Sequence, residues 1–165
     1  MPIWEIMEQH QYVLAVDLCE GQDQAPEMEN ILTRFPRLPV ALGHFGMVNR
    51  GGWPAQLNLC RHENVYLETG GIIWLYRDEG YPFPGARDAI QQAICKVGIA
   101  KLMWGSDWPR TMIDFTYRQS IEFIRRDDQL TADQKRALLG GNAARLYGLS
   151  EPAKLRSPAP VVTEG

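Results

Sequence analysis

The chain has 165 residues, 45% of them hydrophobic and 22% charged, with a formal net charge of -3. That is the size and composition of one globular domain, and its mixed, slightly acidic charge leaves no electrostatic footprint for nucleic acid or an anionic membrane surface. No apolar run approaches the ~18 residues of a membrane span, the start MPIWEIMEQHQ lacks the basic and apolar regions of a signal peptide, and Cys19, Cys60 and Cys95 form no C-x-x-C pair.

We therefore expect a soluble, cytoplasmic protein with three reduced, mostly buried thiols and a small-molecule ligand. In chain order, PIWEIMEQHQ reads as a helix with Ile3, Ile6 and Met7 inward and His10 as a cation at its end. YVLAVDL (12 to 18) is a strand, after which Pro26 at a first-turn position opens a helix with Met28, Ile31, Leu32 and Phe35 on one face. PVALGHF (39 to 45) is the second strand, followed by the loop GMVNRGGW and a helix from about Pro54 with Leu57 and Cys60 inward and His62 near its end. VYLETG (65 to 70) is the third, followed by a loop containing GYPFPG and a helix in which Ile90, Ala93, Ile94 and Val97 make a stripe ending at Gly98. AKLMWGSD (100 to 107) is the fourth, stopped by Trp108-Pro109, with a helix near 115 to 127 bearing Tyr117, Ile121 and Ile124. Thr131 and Gln134 have capping-box spacing, and Asn142 can cap the AARLYGL segment. From Ser150 onward the chain has too few apolar groups to pack, so we divide it into a domain over 1–149 and a flexible tail over 150–165.

Strand runs that are almost wholly apolar suit parallel strands covered on both faces, and their alternation with helices leaves an open doubly wound sheet or a (β/α) barrel. The polar strand-end residues Asp17, His44, Glu68 and Asp107 are separated by 27, 24 and 39 residues, a mean close to the roughly 31 per unit of an eight-unit barrel. Four units make about half of one.

The chemistry sits on those strand ends. Asp107 can hold a divalent metal or take a proton from attacking water, and His44, before Phe45-Gly46, can bind a metal, polarise a carbonyl or accept a proton. Trp108, Trp104 and Trp53 can wall such a pocket, or be core aromatics that need no ligand. Asp17 is balanced between capping a turn and serving the site, and Glu68, His62 and His10 read as solvated or structural positions.

In order, LPVALGHFG, NVYLETGG, KLMWGSDWP and GGNAARLYGL closely resemble the carboxyl half of the amidohydrolase-related family over about residues 1 to 150. These are TIM-barrel hydrolases, with or without metal, that include aromatic-acid decarboxylases and sugar or pyrone-dicarboxylate lactonases. The resemblance implies an α/β fold made of strands five to eight of a (β/α)8 TIM barrel plus carboxyl-terminal helices. It implies water attack on a lactone or similar carbonyl, toward which the Trp in GSDWP leans. A metal-dependent decarboxylase is the enzymatic alternative, and a catalytically inactive half-barrel that serves as an assembly partner is the alternative from another class.

The resemblance also gives Asp107 the role of metal ligand or base, and His44 that of metal ligand or carbonyl polariser. Asp17 falls where many members carry a ligand His, so a zinc or manganese site and a metal-free lactonase site are both consistent with the pattern. Trp108, Asp17 and Trp53 are the expected substrate contacts. The family's first strand ends in His-x-His, and neither that pair nor the first four strands has a counterpart here. The expectation is a truncated or split reading frame, completed by a second copy of the chain or by a separate amino-terminal half.

Overall fold

The structure, a computed structural model, describes residues 3–19 and 21–150. Its centre is one parallel sheet of four strands in chain order: β1 (Leu14–Val16), β2 (Val40–Leu42), β3 (Val65–Glu68) and β4 (Leu102–Met103). The register aligns Val16 with Leu42, Leu42 with Leu67, and Leu67 with Leu102, so all four strands end on the same side. Helix α1 (Ile3–Gln9) precedes β1, α2 (Gly21–Arg34) crosses to β2, α3 (Trp53–Leu59) to β3, and α4 (Ile72–Leu75) with α5 (Pro84–Val97) to β4. Three helices follow: α6 (Tyr117–Arg125), α7 (Ala132–Arg136) and α8 (Asn142–Leu146).

Strand alternation sorts side chains onto two faces. Val40, Leu42, Val65, Leu67 and Leu102 are fully buried and join the helix-covered core with Leu32, Leu57, Ile90 and Phe123. Ala41, Tyr66, Glu68 and Met103 belong to the opposite face. Capping boxes at Thr116 with Gln119 and Thr131 with Gln134 start α6 and α7, each satisfying two otherwise unpaired donors.

Several elements differ from the sequence expectation. All four strands are shorter, and β4 stops at Met103 because β3 has already turned away: Gly105 N–H meets the Thr69 side chain, at 3.3 Å, rather than a strand carbonyl. Helix α2 begins at Gly21, so Pro26 lies inside it; the carbonyl Pro26 leaves without a helical donor belongs to exposed Gln22, where water can serve. Ile3 and Ile6 are exposed rather than inward, and only Trp4 and Met7 of α1 pack against the core. Of the thiols only Cys60 is buried; Cys19 and Cys95 are exposed.

Asn142 does not cap α8. It is the helix's first residue, fully buried, and its Nδ2 donates to the carbonyls of Ile99 and Leu102, both at 2.7 Å. Met103 faces β3 through Thr69 N–H, so Leu102 O and Trp104 N–H point to the other edge of β4. Asn142 and the Leu138 carbonyl, which accepts from Trp104 N–H at 2.8 Å, partly occupy that edge. No helix among the described residues is long and apolar enough to cross a membrane. The tail expected from residue 150 lies, but for Ser150, outside the described residues.

Candidate active site

The sheet's register brings two separated residues together. Gly43 N–H donates to Val16 O at 2.8 Å, extending the β1–β2 ladder by one step, and beyond it Asp17 and His44 meet with Asp17 Oδ2 2.7 Å from His44 Nδ1. His44, Phe45 and Gly46 form one tight turn with φ of 50°, 50° and 60°. Left-handed backbone at a non-glycine costs about 1–3 kcal/mol, and it persists only where packing holds it. Fully buried Phe45 is the anchor here, and the turn swings the imidazole over the strand ends.

Asp107 arrives from the loop after β4, also with a left-handed backbone, φ 51°. Its carbonyl accepts from Thr111 N–H at 3.0 Å, its Oδ1 lies 3.6 Å from His44 Nε2, and its Oδ2 accepts from the Trp74 indole N–H at 2.7 Å. The result is a chain of groups, Asp17, His44, Asp107 and Trp74, drawn from the ends of β1, β2, β4 and from α4.

Glu68 belongs to the same cluster. Alternation in Val65-Tyr66-Leu67-Glu68 sends its carboxylate to the face opposite the helices, and a Cβ added at Gly105 would land on its Oε1. Burial raises its pKa above the ordinary carboxylate value; the charge of His44 and the Gly70 N–H work against that, and Asp107 adds to it. The signal was in the sequence: once Val65 and Leu67 face the helices, Glu68 cannot. Trp74 carried no comparable signal, because nothing in IIWL says that its indole reaches a loop 33 residues away.

A histidine that donates Nδ1–H to a carboxylate has its orientation and tautomer fixed. Neutral His44 in that tautomer, assigned from the hydrogen-bond network, would aim an Nε2 lone pair at Asp107 Oδ1, acceptor against acceptor. At 3.6 Å the pair is satisfied by a proton on Nε2, by a water molecule, or by a cation. As a metal site, His44 Nε2 and Asp107 Oδ1 supply two donors, whereas a catalytic zinc takes three protein ligands. Among the described residues no group of three or more His, Cys, Asp or Glu side chains is gathered to hold a metal. The residues present thus fit part of a metal site, with Asp17 as the carboxylate behind its histidine.

The other candidates lie elsewhere. Trp108 is 68% exposed, next to Asp107. Trp53 packs on Phe45, with ring centroids 6.1 Å apart, and lines a groove of about 950 Å³ between α3 and α5 that none of Asp17, His44, Glu68 or Asp107 reaches. Trp104 donates to Ser120 O at 2.7 Å and so serves packing. His62 meets Glu29 at 3.0 Å, and His10 stacks on Tyr12.

Parallel βα units that gather acid, imidazole and acid at their carboxyl ends place this cluster where α/β barrels carry their active sites. The chain belongs to the amidohydrolase family, whose model matches residues 1–149. It is 38% identical, over 157 residues, to an L-fucono-1,5-lactonase of Burkholderia multivorans, covering 85% of this chain and 53% of that protein. The chain spans about half the length of the curated relatives it matches. Among solved structures, an amidohydrolase from Burkholderia multivorans with bound zinc superposes with a TM-score of 0.75 at 24% identity, over 89% of this chain and 56% of that one. A TIM-barrel protein from Bordetella bronchiseptica gives a TM-score of 0.63 at 20% identity, over 90% of this chain and 50% of that one. These two likenesses concern the fold.

Proposed function

We propose that this chain carries the water-activating half of a lactone-hydrolysing site, an inference carried by the Asp17–His44–Asp107 arrangement. Asp107 Oδ1 takes a proton from water as the water oxygen bonds to the lactone carbonyl carbon. His44, carrying a proton on Nε2 as well as on the Nδ1 held by Asp17, donates Nε2–H to the oxygen on which negative charge develops. The tetrahedral adduct then collapses, the ring carbon–oxygen bond breaks, and the departing ring oxygen takes the proton from Asp107. The product is a hydroxy acid, and the sum is lactone plus water.

Charge favours this reading over decarboxylation. Asp17, Glu68 and Asp107 set three carboxylates against one imidazole, a surface that repels a carboxylate substrate and offers acceptors to hydroxyl groups. A neutral, polyhydroxylated lactone is the matching substrate class, in keeping with the lactonase relative. The four βα units correspond in this reading to strands five to eight of a (β/α)8 barrel, with the remaining wall supplied by a second copy or by a separate amino-terminal half. In a metal-bound form, zinc or manganese would be held by His44 Nε2, then without its proton, and by Asp107 Oδ1, with further ligands from that wall, and would polarise the carbonyl in place of the Nε2–H. Each step above is carried by this chain's own residues.

The test is a panel of sugar lactones beside a panel of aromatic carboxylic acids, assayed on the completed barrel before and after Asp107→Asn. We expect lactone hydrolysis that falls by about 10²- to 10⁴-fold in the variant. Decarboxylation of the acids would replace this assignment, and turnover undiminished by Asp107→Asn would refute the role of Asp107. No turnover on either panel would favour an inactive assembly partner.

A further inference from the structure

We infer that Trp74 is a positioning residue: its indole N–H holds Oδ2 of Asp107 so that Oδ1 alone is turned toward His44 and the reacting water. This rests on the reading of Asp107 as the water-activating carboxylate, and it adds a residue that neither the strand-end pattern nor the motifs indicated.

Asp107 needs such a restraint. It lies four residues beyond the end of β4, in a loop, on left-handed backbone, with 21% of its side chain exposed. A carboxylate in that setting can turn its plane about χ2, a soft torsion, and lose its aim at His44. The indole stops this. It donates at 2.7 Å to Oδ2, and an indole N–H is a donor with no acceptor capacity, so it cannot reverse its role as an amide or hydroxyl could. A proton captured by Asp107 is therefore directed to Oδ1, the oxygen 3.6 Å from His44 Nε2.

The surroundings of the indole are built to keep it there. Trp74 lies in the short helix α4, whose start at Gly71 has φ 72°. A Cβ added at Gly71 would land on Trp74 Nε1 and come within 3.0 Å of Asp107 Oδ2, so the glycine makes the room that the hydrogen bond occupies. The Arg110 guanidinium sits 5.3 Å from the ring centroid and is held by Asp114 at 3.0 Å. The His44 ring meets the indole edge-on, with centroids 5.7 Å apart. One side chain thus touches both members of the proposed base and polariser pair, which is the arrangement that fixes a reacting geometry.

The experiment has two arms, the resonance arm on the chain as expressed and the kinetic arm on the completed barrel. The chain holds five tryptophans, and Trp74→Phe assigns the Trp74 indole N–H among their NMR resonances by its disappearance. Asp107→Ala should then move that one resonance upfield and speed its exchange with solvent, whereas an unaffected resonance overturns the inference. In the kinetic arm, Trp74→Phe and replacement of Trp74 by benzothienylalanine, which keeps the ring system but puts sulfur in place of N–H, are compared on the best lactone. Both should lower kcat by about 10- to 100-fold while KM changes by no more than about twofold. Full kcat in the benzothienylalanine protein would show that ring packing, not the donor, matters, and would overturn the inference. If the completed barrel with Trp74 intact hydrolyses no lactone, the proposed function fails, and the resonance arm still decides whether Trp74 holds Asp107.

Discussion

Replacing Asn142 tests how the loop that carries Asp107 is anchored. The side chain is fully buried, and its two N–H groups satisfy the carbonyls of Ile99 and Leu102, which bracket the entry to β4. Asn142→Ala leaves the Leu102 carbonyl without a donor, while the Ile99 carbonyl keeps the Leu102 backbone N–H. A stranded buried acceptor costs about 1–3 kcal/mol. The Leu102 carbonyl is buried and should pay near the middle of that range, while the Ile99 carbonyl, with one donor left, should add little. The expected loss is about 2 kcal/mol, a sizeable part of the 5–15 kcal/mol that holds an ordinary domain together. Asn142→Asp keeps the shape but sets carboxylate oxygens against two carbonyl oxygens in a dry site, so it should be worse than alanine at neutral pH and recover in acid, where protonation restores one donor. Urea denaturation followed by far-UV circular dichroism at pH 7.5 and pH 4.5 measures both. An Asn142→Ala midpoint shifted by less than about 0.5 kcal/mol, or an Asn142→Asp protein as stable as Asn142→Ala at pH 7.5, would refute the reasoning.

Two more outcomes follow from buried ionisable groups. Burial raises the Glu68 pKa, so folding favours the protonated form; that contribution is fully present below the ordinary carboxylate pKa and is lost as pH rises through the folded value. Glu68→Gln should therefore raise Tm at pH 7.5 and leave it nearly unchanged at pH 4, and a calorimetric gain that grows toward acid would contradict this. Burial also pushes the Cys60 thiol up to about 12, while Cys19 and Cys95 are exposed. Titration of native protein with a thiol reagent at pH 8 should count two thiols promptly and the third at least about 10³-fold more slowly, the rate set by unfolding; three prompt thiols would place Cys60 in contact with solvent.

Much of the fold was legible because hydrophobic periodicity is a local property. The stripe Ile90, Ala93, Ile94, Val97 ending at Gly98 predicts α5, and the helix closes at Val97 with Gly98 as its cap. Thr131 and Gln134 predict a capping box and form one. Where local rules competed with tertiary contacts, they lost. Asn142 has the chemistry of a cap, yet two carbonyls near β4 claim its donors. Pro26 has the preference of a first-turn residue, yet the helix starts five positions earlier, because Gly21 and Ala25 are buried against neighbouring elements.

For the site, the sequence by itself determined which residues stand at the ends of parallel strands: Asp17, His44, Glu68 and Asp107 each close an apolar run, and parallel βα order sends all four ends to one side. Only the tertiary structure decided how they meet. The ladder bond from Gly43 to Val16 and the left-handed turn at His44 bring that imidazole against Asp17, and the loop after Met103 carries Asp107 to the other ring nitrogen. The indole hydrogen bond from Trp74 was decided there too. The physical reason is range. Strand ends are set by neighbours a few residues apart, whereas hydrogen bonds between residues 27 and 33 positions apart depend on register and backbone strain that no local pattern records.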